Sequence, residues 1–289
     1  MRFEAVRSTA VYDATVSPLL VCLSVLAASC VLTWALSLIT REHSWVDRAW
    51  SIVPVIYVWV FAGATGLHDA RLDILAVLVT LWGIRLTFNF ARKGGYAPGG
   101  EDYRWTVLRG RMKPWRFAVV NLLFIVIYQN VLLLLIALPA WTAFLHRTPL
   151  TPLDAMAAIA FLLLLAGETI ADQQQWNFQR RKAAEAVGRI PGPRFLQTGL
   201  FRYSRHPNFF FEQAQWWVVF SFGAIAAGSI LQWTVLGAIL LTLLFVGSTV
   251  FTESISLSRY PEYAEYQSRT SPVVPWFPRG RETLVKRAL

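Results

Sequence analysis

Residues 199–213 read GLFRYSRHPNFFFEQ and place Arg202, Tyr203, Arg205, His206, Asn208 and Glu212 within eleven positions. Two guanidiniums and an imidazole beside a helix start make an anion site, because the first N–H groups of a helix carry partial positive charge and have no internal partners. Pro207 closes the loop, and an aromatic helix follows with Asn208 as its expected cap. Glu212 falls on the first turn of that helix, where it can accept from a hydroxyl or an amide. The arginines alone have an ordinary alternative, since basic residues flank membrane helices and orient them. Orientation requires neither the His-Pro-Asn element nor the glutamate.

Four other stretches carry polar groups that apolar surroundings do not explain. Arg85 and Asn89 lie within LWGIRLTFNFARKGG; an arginine at that depth must snorkel, pair or face a polar cavity, where it could hold a phosphate or carboxylate. A glycine-rich loop, GGYAPGGEDYRW, leads into Glu101, Asp102, Tyr103 and Arg104. It is either a plain connection or a loop able to close over a ligand. Asp47 sits between Trp45 and Trp50. In an apolar setting it would keep its proton and serve as a donor; otherwise it is a solvated partner of Arg41 or Arg48. Glu168 and Asp172 are four apart and share a helix face, which Gln175, Gln179 and Arg180 extend. They line a cavity or pair with loop arginines. Glu253, Arg259, Tyr260, Tyr263, Tyr266 and Arg269 follow the last apolar segment.

The elements that must position these groups are membrane helices. Of 289 residues, 55% are hydrophobic and only 15% are charged, against about 25% charged in soluble domains. Several apolar runs reach about 20 residues, the span of a bilayer core. The expected fold is all-α, one integral-membrane domain with seven spans near 17–39, 49–66, 73–91, 117–139, 153–172, 209–227 and 230–251, the last two joined by a very short turn around Gly228. Of the 27 lysines and arginines, 22 fall in alternate connections and the C-terminal tail, four lie on the other side, and Arg85 is left inside a helix. The positive-inside rule then puts the N-terminus outside and the C-terminus in the cytoplasm. This distribution accounts for the net charge of +10 without nucleic acid as a partner. Cys22 and Cys30 lie in one apolar run with no metal-ligand spacing and no expected disulfide. Glu4 and Asp13 within the first 16 residues, followed by a long apolar stretch, argue against a cleaved signal peptide. No P-loop and no strand-linked Gly-x-Gly-x-x-Gly is present.

Each polar cluster falls at the cytoplasmic end of a helix, which points to one site facing the cytoplasm and open to the bilayer. The surplus of arginine suits an anionic, phosphate-bearing cofactor.

GLFRYSRHPNFFFEQ, the preceding ETIADQQ and RIPG, and the tail RYPEYAEYQSRTSPVVPWFP resemble the steroid 5α-reductase superfamily, most nearly its bacterial branch of uncharacterised membrane proteins. The likeness runs from about Ser44 to Pro278. It implies a seven-helix fold, in a bacterial inner membrane, that binds NADPH from the cytoplasm and reduces a C=C bond conjugated to a carbonyl in a lipidic substrate (steroid-like, polyprenyl or acyl). By that resemblance Asn208, Glu212, Asp172, Arg85 and Arg189 contact the cofactor, and Arg104, Arg205 and His206 would hold its phosphates. The family's proton-donating pair, a Glu and a Tyr, has Asp47 and Trp82 as its nearest equivalents here. Trp82 cannot act as a phenol, and Tyr103 is the candidate replacement. The Arg-His-Pro element is shared with isoprenylcysteine carboxyl methyltransferases, so an S-adenosylmethionine-dependent enzyme is the second reading. A non-catalytic lipid-binding protein is the third.

Overall fold

The computed structural model describes residues 17–188 and 192–279, without the side chains of 185–188. Among the described residues every regular element is a helix, including a 3₁₀ turn at Gly199–Arg202, and the one β feature is an isolated parallel bridge between Ser204 and Ser271. The helices are α1 (Pro18–Thr40), α2 (Trp45–Ala49), α3 (Val53–Gly63), α4 (Ala70–Arg92), α5 (Tyr103–Gly110), α6 (Pro114–Val120), a π-helical segment (Asn121–Tyr128), α7 (Gln129–Ala137), α8 (Pro139–Leu145), α9 (Pro152–Gly188), α10 (Pro207–Ala227), α11 (Val235–Arg259) and α12 (Tyr263–Arg269).

Six stretches are long and apolar enough to cross a membrane: Pro18–Thr40, Trp45–Gly63, Ala70–Arg92, Pro114–Leu145, Pro152–Ala184 and Val235–Arg259. The seventh expected span, α10, is 21 residues long but carries Asn208, Glu212, Gln213 and Gln215 in its first half. Its position explains that composition. Helix α10 packs against α4, α7, α8, α9 and α11, so much of its surface meets protein rather than lipid and polar groups there can find partners. Helix α1 is the opposite case. Leu20, Val31, Leu32, Leu38 and Ile39 all project outward, as a helix solvated by acyl chains allows.

Several boundaries differ from the sequence-based expectation. Pro207 is the first residue of α10, and His206 occupies the cap position without a capping side chain. Asn208 therefore does not cap the helix. Proline's fixed φ and missing N–H suit the first helical position, and the shift leaves the Asn208 amide free for another use. The turn after α10 is longer than expected, running from Gly228, in the left-handed conformation at φ 63°, to Thr234. Helix α9 continues to Gly188, 37 residues, or about 55 Å at 1.5 Å per residue. That exceeds a hydrocarbon core of about 30 Å, so the helix is long enough to extend past it, and Ala171 and Phe178 of α9 pack with Leu196 and Phe201 of the segment that follows. Pro139 separates α7 from α8.

Two glycines on α10 and α11 permit close approach of neighbouring helix backbone. A Cβ on Gly237 would lie 2.3 Å from the Leu135 carbonyl oxygen, and one on Gly223 would lie 2.8 Å from that of Pro139.

At the end remote from the polar clusters, Arg71 is fully engaged. Its Nε and Nη2 donate to Asp154 at 2.6 and 2.9 Å, and its remaining donors reach Thr148 and the Pro149 carbonyl. Both charged side chains are about 1–2% exposed. This pair ties the start of α4 to the start of α9. Breaking a buried pair leaves an uncompensated charge. We expect Asp154→Asn to cost about 3 kcal/mol of stability, read as a lowered unfolding midpoint in detergent.

Candidate functional site

The centre of the site is a guanidinium held by three acids. Arg85 on α4 donates from Nη1 to Asp172 Oδ2 at 2.5 Å and from Nη2 to Glu168 Oε1 at 2.6 Å and Glu212 Oε2 at 3.3 Å. Glu168 and Asp172 are one turn apart on α9, and Glu212 faces them from α10. One turn further along α4, Asn89 donates to Asp172 at 2.7 Å, and Lys93 approaches the same carboxylate at 3.8 Å. Gln215 donates to Glu168 at 2.7 Å. Trp82 is fully buried against Trp216 and donates to Glu212 at 3.2 Å. Three helices that could slide past one another in lipid are thus pinned at one height by charge-assisted bonds.

Beside this knot lies a cavity of about 680 Å³. At one end it exposes Asn89, Lys93, Glu168, Asp172, Asn208 and Glu212; elsewhere it is walled by apolar and aromatic side chains from α2, α4, α5, the π segment, α10 and α11, including Trp50, Leu86, Phe90, Phe124, Tyr128 and Phe209. A third group, Asp47, Asp102 and Arg104, lines it from α2 and the start of α5. Trp105 donates to Asp47 Oδ2 at 2.7 Å. Arg104 is bidentate with Asp102 and donates to Ser248 on α11 at 2.7 Å. Burial works against the Arg104 charge, but the Asp102 carboxylate outweighs it and holds the guanidinium above its ordinary pKa. Among the described residues the Asn208 side chain has no hydrogen-bond partner, and it faces the cavity half-buried. A polar amide in such a place is set for a ligand, because leaving it unpaired is otherwise a cost.

Of the residues singled out from sequence, Asp47, Arg104, Asp172, Asn208 and Glu212 line this cavity, and Arg85 stands directly behind its acids. Tyr103 is not among the lining residues. It is 46% exposed, with the Arg259 guanidinium over its ring at 5.8 Å, and burial of the remainder raises its phenol pKa. Arg189 lies outside the described residues.

Arg205 and His206 belong to a different cluster. Arg205 Nε and Nη2 bind Glu253 at 2.6 and 3.0 Å, and its Nη1 donates to the carbonyls of Gln267 and Thr270. His206 Nε2 meets Glu253 Oε1 at 3.1 Å. The anion at this helix start is therefore a residue of the chain itself. Its structural effect is to clasp the C-terminal segment, which Ser204 also holds through the Val273 carbonyl at 2.6 Å and Tyr203 through the Trp276 N–H at 2.9 Å. We expect Glu253→Ala to speed tryptic cleavage after Arg269. Unchanged cleavage would mean that the Ser204 and Tyr203 bonds hold the segment alone.

The glycine-rich loop is latched rather than loose. Arg48 on α2 donates to the Gly95 carbonyl at 2.9 Å and to Glu42 at 2.5 Å, and Glu42 accepts from Gly99 N–H at 2.7 Å. From sequence Lys93 counted only as an orienting charge and Arg48 as that or as a partner of Asp47, while Trp105, Tyr128, Gln129 and Ser248 were passed over. The signal for Tyr128 and Gln129 was faint, being two polar groups inside an apolar run. The π segment that turns them was not legible at all.

A family profile described as "Protein of unknown function (DUF1295)" matches residues 33–270. An uncharacterised protein of the fission yeast Schizosaccharomyces pombe is 38% identical over 258 residues, covering 84% of this chain and 75% of that protein. No solved structure matches. The relative is eukaryotic, so the similarity does not single out a bacterial branch.

Proposed function

We propose that this chain, which belongs to the DUF1295 family, is a membrane-embedded reductase that uses NADPH to saturate a C=C bond conjugated to a carbonyl in a lipidic substrate. One observation carries the reading. A single cavity joins a hydrogen-bonding end built on Asn208, Asp172, Glu168 and Glu212 to a long apolar wall. A polar cofactor and an apolar substrate need such a junction to meet.

The lining fits the nicotinamide half of a dinucleotide. The free Asn208 amide can both donate to and accept from a carboxamide, and Asp172 and Glu212 can accept from ribose hydroxyls. Lys93 is the cation available to a phosphate, since Arg104 is shared with Asp102. When bound, the cofactor supplies hydride to the β-carbon of the conjugated bond. The chain's task is then to meet the negative charge that develops on the carbonyl oxygen. Asp47 has Oδ2 held by Trp105 N–H and Ser44 beside the same carboxyl group, which fixes it at the cavity wall where, protonated, it could donate to the developing oxyanion. The Arg85 knot keeps Asp172, Glu168 and Glu212 in place without moving during the reaction. Seven spans, an outer N-terminus and a cytoplasmic C-terminus complete the proposal, with the cofactor reaching the site from the cytoplasm.

A second reading rests on a specific feature. Five carboxylates line the cavity against Lys93 and Arg104, a balance that suits the cationic sulfonium and amine of S-adenosylmethionine in a methyltransferase. The discriminating experiment is a turnover assay in detergent with a panel of apolar enones, following NADPH oxidation and the saturated product. Enone-dependent oxidation with product formed in equal amount supports the reductase. Methyl transfer from S-adenosylmethionine to a lipid acceptor, with no NADPH consumed, would replace it.

A further inference from the structure

We propose that the cavity opens sideways into the bilayer between the π segment and the middle of α11, and that the apolar chain of a membrane lipid enters there. Gly247 is the middle residue of the 25-residue α11. It is exposed, it lines the cavity, and a Cβ placed on it would find no atom within 4 Å. Leu243, one turn earlier, also lines the cavity yet is 59% exposed. Across the gap stands Phe124, lining and 39% exposed. It stacks on Tyr128 with ring centroids 5.4 Å apart and planes at 10°. The two sides touch where the Tyr128 hydroxyl donates to the Leu240 carbonyl at 3.3 Å, and the gap lies beyond that point.

The glycine needs a reason. Glycine inside a helix costs about 1 kcal/mol relative to alanine. At Gly223 and Gly237 backbone of a neighbouring helix forbids a side chain; at Gly247 nothing does. What its smallness preserves is the opening. The π segment supplies the other side of the mouth, since its wider turn offsets Phe124 and Tyr128 from the register an α-helix would give. The occupant follows from depth. An opening at the midpoint of a membrane helix meets hydrocarbon, so what passes is an acyl or polyprenyl chain and not a hydrated molecule. The proposal deepens the reductase reading, which it needs only for the identity of the reacting group.

The test uses the full chain in phosphatidylcholine vesicles with a fatty-acyl diazirine probe, photolysed without any cofactor, and adducts mapped by mass spectrometry. The expected result is labelling inside the cavity, at Leu86 and Phe90. That labelling should be lost in Gly247→Trp and Gly247→Leu and kept in Val250→Trp, which alters the same helix away from the lining. Phe124→Ala should increase it. Monodisperse elution of each variant guards against misfolding, and the two Gly247 substitutions differ in bulk. Interior labelling that persists in both Gly247 variants, or labelling confined to outward-facing positions such as Leu32 and Val250, would overturn the proposal. So would interior labelling by a water-soluble diazirine alone. Because no NADPH is present, labelling as expected from a protein that fails to bind NADPH would remove the reductase reading and leave the lateral opening standing.

Discussion

Arg85→Met is expected to lose about 5 kcal/mol of stability, seen as a collapse of the folded fraction in detergent at temperatures where the wild-type chain persists. The reason is the arithmetic of the knot. One guanidinium, with a side chain 10% exposed, faces Glu168, Asp172 and Glu212 within 3.3 Å. Without it, three acids from two helices are left together with Lys93 as the nearest cation, 3.8 Å from Asp172 alone. Repulsion and desolvation then act together, whereas at Arg71 only one acid would be stranded. Arg85→Lys should fall between, because an ammonium restores charge but cannot bridge carboxylates on two helices with a planar fork. A methionine variant as stable as wild type would mean that the acids are held by Gln215, Trp82 and Asn89 alone.

Asp47→Asn should lower kcat by about 10²–10⁴-fold, the usual worth of a positioned acid, with the NADPH-induced stabilisation retained. Asparagine can still accept from Trp105 N–H, so the geometry around residue 47 survives and only the transferable proton is lost. A drop in cofactor affinity instead would make Asp47 a binding residue. Full activity would move the proton's source to another lining group, of which the Tyr128 phenol is the first candidate.

Much of the framework was legible because membrane helices announce themselves by length and hydropathy. The clustering of Arg85, Asp172, Asn208 and Glu212 was legible for a related reason: polar groups in apolar helices must converge or be costly. What sequence could not assign was the partner of each charge. Arg205 and His206 look as free as Arg85 in the linear text, yet Glu253, nearly fifty residues later, takes them both. Arg71 was counted as an orienting charge and proved to be a buried tie to Asp154, 83 residues away. The same holds for the glycine-rich loop, whose apparent freedom ends at Arg48. The sequence reading counted α10 among seven spans, yet it is not one of the six stretches long and apolar enough to cross a membrane. It packs against five other helices, and its polar face is answered by them.

The most direct test of the central claim is a thermal-shift series on detergent-purified protein with NADPH, NADH and S-adenosylmethionine, run on wild type and Asn208→Ala. A saturable rise with NADPH is expected, about 2.7 kcal/mol of stabilisation at a hundredfold excess over Kd. Asn208→Ala should abolish the rise while leaving the unliganded midpoint in place, because the Asn208 side chain bonds to none of the described residues. A rise with S-adenosylmethionine alone, or an NADPH response that survives in Asn208→Ala, would contradict it.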